Sequence, residues 1–183
     1  MSSWSEVRGF FLTELADWGR DCAVAGKFLT RLPFPLIENG AKKGRLAASM
    51  RTFPLIGVLV GSIGGLVLMG MTALGLHSLA SALVGLASVI LVTGALHEDG
   101  LSDVADGLGG GNTVEKKLKI MRDSRIGAYG VLAVVFSVGI RATVLGGLSE
   151  PELAAAVLVA AAALSRGLLP VTMFVLKPAR KSG

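Results

Sequence analysis

The stretch His97-Glu98-Asp99-Gly100-Leu101-Ser102-Asp103-Val104-Ala105-Asp106-Gly107-Leu108-Gly109-Gly110-Gly111-Asn112 sets a row of carboxylates beside a glycine triplet. If it is helical, Asp99, Asp103 and Asp106 stand at i, i+4 and i+7 and point the same way. Three carboxylates on one face repel each other. At the exit of an apolar segment that repulsion points to a cation held between them, the alternative being a solvated acidic helix end. Oxygen donors without cysteine or clustered histidine select Mg²⁺ or Mn²⁺. Mg²⁺ commonly joins a few carboxylates to substrate phosphates while keeping some of its water.

Gly109, Gly110 and Gly111 would let backbone amides approach an anion, as phosphate-cradling loops do, or would serve as a flexible linker. Lys116, Lys117 and Lys119 follow, and then Met121-Arg122-Asp123-Ser124-Arg125-Ile126-Gly127-Ala128-Tyr129-Gly130. Acid suited to a metal and base suited to phosphate, on one membrane face, suggest phosphoryl transfer.

The elements that must hold these residues are membrane helices. The 183 residues are 52% hydrophobic and only 17% charged, too little polar surface for a soluble domain. From Pro54 to Leu96 there is no charged residue, and a single helix of that length would be about twice as long as a bilayer core is thick, so the run must fold back. The break is expected at Gly75-Leu76-His77-Ser78. Four spans then read as Pro54–Leu74, Leu79–Leu96, Ile126–Leu148 and Leu153–Leu176, the last two turning at Ser149-Glu150-Pro151-Glu152. Every Asp and Glu is expected outside them.

Lysine and arginine number eight before Pro54, five from Glu98 to Arg125 and three after Leu176, with none in the two opposite turns. The positive-inside rule therefore makes both termini and the 98–125 loop cytoplasmic. These charges read as orientation signals and exclude a nucleic-acid stripe. The single Cys22 excludes a disulfide framework and a cysteine zinc site.

Residues 1–31 form an amphipathic helix, with Trp4, Val7, Phe11, Leu15, Trp18 and Cys22 on its apolar face, lying in the interface or packed on the bundle. The expected fold is thus an all-α polytopic bundle of about four transmembrane helices. Residues 32–183 carry the bundle and its catalytic loop at 98–125. Gly57, Gly61 and Gly65 share a helix face and permit close helix packing.

The block from Leu96 to Gly111 and the block Met121-x-Asp123-Ser124-Arg125-Ile126-Gly127-x-Tyr129-Gly130 closely resemble the cobalamin synthase (adenosylcobinamide-GDP ribazoletransferase) family. Phe28-x-Thr30-Arg31-Leu32-Pro33 and Phe53-Pro54-Leu55-Ile56-Gly57 look like its other marks. Family members usually continue past this C-terminus with further hydrophobic spans. The resemblance implies attack of a ribose hydroxyl of α-ribazole, or of its 5'-phosphate, on the cobinamide-linked phosphorus of adenosylcobinamide-GDP, with release of GMP at the cytoplasmic face of the cell membrane. Under that implication Mg²⁺ would be held by Asp99, Asp103 and Asp106, with Glu98 as a fourth or water-mediated ligand. Ser124 and Arg125 would contact phosphate oxygens. Asp123 would orient a ligand or take the attacking proton, unless His97 is the base.

Arg141 and Arg166 are costly inside hydrocarbon and read either as buried pairs or as substrate contacts, Arg166 being the better candidate for phosphate. A homo-oligomer or other membrane proteins of the pathway are possible partners. The competing readings are a membrane prenyltransferase or CDP-alcohol phosphotransferase, and a cation transporter.

Overall fold

The computed structural model describes residues 4–35 and 45–179, apart from the side chains of 5–7. Four of the orientation charges, Lys42, Lys43, Arg180 and Lys181, lie outside the described residues, as does the side chain of Val7 on the expected apolar face. The described residues form α1 (Trp4–Leu29), α2 (Arg45–Ser49), a 3₁₀ turn (Met50–Thr52), α3 (Phe53–Ala73), α4 (Ser78–Thr93), α5 (Leu96–Gly110), α6 (Val114–Ile120), α7 (Ala128–Gly146) and α8 (Pro151–Val175), with no strand among them. Three helical runs are long and apolar enough to cross a membrane: Arg45–Ala73, α7 and α8. The pair α4 and α5 makes a fourth if counted together across a 90° bend. The chain is an all-α polytopic membrane protein, as its composition predicts.

The turns form where glycine and capping residues place them. Gly75 takes φ +87° after α3, and His77 Nδ1 accepts from Leu79 N at 3.3 Å to cap α4. Pro151 opens α8, where its missing N–H costs nothing.

The second expected span is corrected at its end. It stops at Thr93 because Gly94 and Ala95 both adopt left-handed backbone, φ 64° and 59°, and two such residues in succession throw the chain through the bend into α5. Ala95 is the only non-glycine residue with positive φ among those described, a conformation that costs an L-residue about 1 kcal/mol. The expected cytoplasmic loop is corrected with it: 98–125 is mostly helix, namely α5, α6 and the turn before α7.

The chain divides into two compact units, residues 1–61 with 159–183, and residues 62–158. In the first, α1 packs on α2 and the 3₁₀ turn. Asp21, almost fully buried, accepts from Arg51 Nε at 2.8 Å and pairs with Arg45 Nη2 at 3.4 Å. Arg51 also lies 4.5 Å over the Trp18 ring. Phe28 stacks on Phe53, and Gly57 lets α3 meet the backbone of Ala162 and Ala163. The apolar face of the first half of α1 stays exposed, Trp4 at 91% and Phe11 and Leu15 at 60% or more.

In the second unit, Gly64 and Gly85 bring α3 and α4 together, and Gly65 meets Ala155. Leu68, Ala82, Leu86, Val89, Leu145, Ala154 and Leu158 form the core. Helix α5 packs along α7 and under α6.

Candidate active site

Two contacts define how α5 lies on α7. Near its start, Glu98 Oε1 accepts from Arg141 Nη2 at 3.1 Å, while Arg141 Nε donates to Ser137 O at 3.1 Å. Near its end, Asp106 Oδ2 accepts from Gly127 N at 2.7 Å and Oδ1 from Gly130 N at 2.8 Å. The two helices are therefore antiparallel. Arg141 is 13 residues beyond Ala128, about 20 Å along the helix at 1.5 Å per residue, so Glu98 lies beside the α7 span. The expectation that every acidic residue falls outside the spans is corrected there. Arg141 adopts the paired role, to a carbonyl and a carboxylate.

Between these contacts opens a cavity of about 480 Å³ lined by Ala95, Glu98, Asp99, Ser102 and Asp103 from the α5 side and by Met121 to Ile126 and Val134 from the other. Asp99 and Asp103 are one turn apart, and neither carboxylate has a hydrogen-bond or ion-pair partner among the described residues. Facing them, Asp123 caps its own turn. Its Oδ1 accepts from Arg125 N at 3.1 Å and from Arg125 Nε at 3.0 Å, and Oδ2 accepts from Arg125 Nη2 at 2.7 Å. This is an Asx turn closed by a planar guanidinium fork. The Arg125 hydrogen bonds hold the Asp123 carboxyl down at about 2, and Asp123 raises Arg125 above its ordinary value in return. Asp123 is a fixed anion near neutrality, a weak acceptor for a substrate proton.

The structure thus brings Glu98, Asp99, Asp103, Asp123, Ser124 and Arg125 to one cavity. The other expected site residues are not in its lining. Asp106 is 9% exposed and does not line it. His97 is half-buried on α5 and is not in the lining. Gly109 and Gly110 are the last turn of α5 and Gly111 its C-cap. The spaces where their side chains would be are taken by the Tyr129 ring, Ile120 and Lys117. They serve close packing of α5, α6 and α7. Arg166, 8% exposed on α8, belongs to the other compact unit and bonds Ser165 Oγ at 3.0 Å.

Ala95, Ser102, Met121 and Val134 in the lining carry no chemical signature in sequence. The spacing Gly127-x-x-Gly130 does carry one in retrospect. A methyl group at Gly127 would strike the Asp106 carboxylate, and one at Gly130 would strike Asp106 and Ser102 Oγ. α7 is capped from α5, since Gly127 has no side chain with which to cap it.

A polytopic helical membrane protein with a cavity acidic on one wall and basic on the other is the class defined by this arrangement. The sequence model described as cobalamin-5-phosphate synthase matches residues 21–183, and the chain belongs to that family, as its two long motif blocks imply. It is similar to the adenosylcobinamide-GDP ribazoletransferase of Mesorhizobium japonicum, 48% identical over 164 residues, covering 89% of this chain and 62% of the relative. Proteins of the same name from Bradyrhizobium diazoefficiens are 45% identical over 163 residues (89% and 62%), and from Rhizobium johnstonii 43% identical over 173 (93% and 66%). The chain spans a little under two thirds of the length of these relatives. No solved structure matches it.

Proposed function

We propose that the cavity is the phosphoryl-transfer site of an adenosylcobinamide-GDP ribazoletransferase, joining α-ribazole or its 5'-phosphate to adenosylcobinamide-GDP. The observation that carries this reading is the common lining: Asp99 and Asp103 on one wall, Arg122, Ser124 and Arg125 on the other. In the proposed reaction the ribose oxygen bonds to the cobinamide-linked phosphorus, the bond from that phosphorus to the bridging oxygen breaks, GMP departs with the bridging oxygen and the bonding electron pair, and the hydroxyl proton passes to water.

Among the described residues no three His, Cys, Asp or Glu side chains stand close enough to hold a metal unaided. Mg²⁺ does not require that many. It takes one or two carboxylates and completes its shell with substrate phosphates and water. Asp99 and Asp103, one turn apart and with no side-chain partner among the described residues, fit that demand, and the bound ion would neutralise charge developing on the phosphate oxygens. Arg125, in the same lining, keeps N–H groups beyond those that hold Asp123, and Ser124 adds a hydroxyl. A loose transition state relies on positioning and charge neutralisation more than on proton removal, which suits a site whose Asp123 is held ionised.

The orientation proposed with this function puts the mouth of the cavity at the cytoplasmic face of the cell membrane. Cysteine labelling at positions 77 and 112, with Cys22 replaced, should react from opposite sides, and labelling from one side contradicts it. The function itself is tested by incubating the purified protein with adenosylcobinamide-GDP, α-ribazole and Mg²⁺. Release of GMP matching cobamide formation is expected, and no release above the protein-free control overturns the reading.

A further inference from the structure

The four acids of α5 do not share one environment. We infer that Glu98 and Asp106 are positioning residues that pin α5 to α7 at two levels, and that Asp99 and Asp103 alone among the acids of α5 address the ligand. This rests on the proposed reading of the cavity.

Glu98 neutralises a guanidinium set inside an apolar helix. Arg141 lies within the α7 span, where an unpaired cation is costly, and Glu98 is its ion-pair partner at 3.1 Å. Drawing Glu98 onto a metal would leave Arg141 without its anion. Asp106 is committed further still, because both its oxygens already accept backbone N–H bonds at 2.7 and 2.8 Å. Those amides belong to the first turn of α7, whose N–H groups have no partner within their own helix. The bonds exist only because positions 127 and 130 lack side chains.

The two pins fix the sliding and rotation of α5 against α7. From Glu98 to Asp106 is eight residues, about 12 Å of helix, and Asp99 and Asp103 fall between them. The Asp106 pin has a second consequence. By tying the end of α5 to the start of α7 it closes residues 107–126 into a loop, which brings Asp123-Ser124-Arg125 to the wall opposite Asp103. The glycines at 107, 109 and 111 allow that loop to close tightly, against Met121, Tyr129 and Lys117.

The experiment uses the full chain in nanodiscs, with amide hydrogen exchange, binding of Mn²⁺ alone by electron paramagnetic resonance, and GMP release as readouts. Glu98→Arg and Arg141→Glu are each expected to speed exchange in α5 and to lower turnover at least tenfold. The double exchange Glu98→Arg with Arg141→Glu is expected to restore exchange protection to within threefold and to recover most of the lost turnover. Asp106→Asn, nearly isosteric, should speed exchange of the 127–131 amides at least tenfold and leave the Mn²⁺ midpoint within threefold. Asp99→Asn should do the reverse, with protection unchanged and the midpoint raised at least tenfold.

A double exchange as inactive as either single variant while α5 stays fully protected makes Glu98 a ligand and overturns its positioning role. An Asp106→Asn protein with native exchange and the metal defect of Asp99→Asn overturns the role of Asp106. If the native chain releases no GMP and binds no Mn²⁺, the proposed function fails by itself, and the exchange arm still decides whether the pins exist.

Discussion

Asp21 in the first compact unit and Asp103 in the second are both aspartates on helices in a membrane protein, and they are treated in opposite ways. Asp21 is buried with its charge answered from within the chain, by Arg51 at 2.8 Å and Arg45 at 3.4 Å, and Arg51 is itself held against Trp18. Asp103 is half-buried on a cavity wall with no side-chain partner among the described residues, four residues from Asp99, an exposed acid whose side chain likewise has none. A carboxylate whose partners are built in fastens helices together. One whose partners are missing keeps its charge available for a ligand. The same division recurs within α5, between Glu98 and Asp106 on one side and Asp99 and Asp103 on the other.

The largest effect that would sharpen this contrast is on chemistry. Asp103→Asn deletes a charge at nearly constant volume, and transfer should fall at least a hundredfold, about 3 kcal/mol, while the protein still inserts and folds. Wild-type turnover of that variant at limiting Mg²⁺ would remove Asp103 from the site. Next is Arg125→Lys, which keeps the charge and loses the planar fork. A loss of about 1.5 to 3 kcal/mol in transfer is expected, the scale of a charge-assisted hydrogen bond, with no rescue by added Mg²⁺. Rescue by metal would make Arg125 an orientation charge only.

Asp21→Asn should act on stability instead. The cost is about 1 to 2 kcal/mol, held down because Arg45 and Arg51 keep contact with solvent, and the Mg²⁺ dependence of transfer should not move. A thermal unfolding scan beside a metal titration checks both halves, and a changed metal dependence would break the comparison.

The smallest expected effect is an absence of titration. Asp123 has its carboxyl lowered from 3.8 to about 2, so the Asp123–Arg125 contact is fully present above pH 3.8 and is lost as pH falls through about 2. The pH–rate profiles of the native chain and Asp123→Asn should therefore run parallel from pH 5 to 8. A limb in that range that vanishes in the variant would make Asp123 a proton acceptor.

The spans were legible because hydropathy and turn chemistry coincide: Gly75 and His77 end one helix and begin the next within two residues of the expected positions. The cavity's acidic and basic residues were legible from type and spacing. The bend was not. Gly94 gives a weak sign of it, but Ala95 in a left-handed conformation has no counterpart in composition, and without the bend α5 reads as a loop beyond the membrane. The division of labour among the acids was hidden for the same reason. Helical spacing put Asp106 on a face with Asp99 and Asp103, and only the antiparallel packing on α7 reveals the two glycine amides that claim it. The glycine triplet was ambiguous in a similar way, since tight packing against Tyr129 and Lys117 and a phosphate cradle both call for glycine.

The most direct measurement is equilibrium dialysis of adenosylcobinamide-GDP against the full chain in nanodiscs, with and without Mg²⁺. If one cavity holds metal and diphosphate together, Mg²⁺ should tighten binding at least tenfold in the native chain, and Asp103→Asn should abolish that tightening while retaining the weaker metal-free binding. Equal affinity with and without Mg²⁺, or undiminished tightening in Asp103→Asn, would contradict the account.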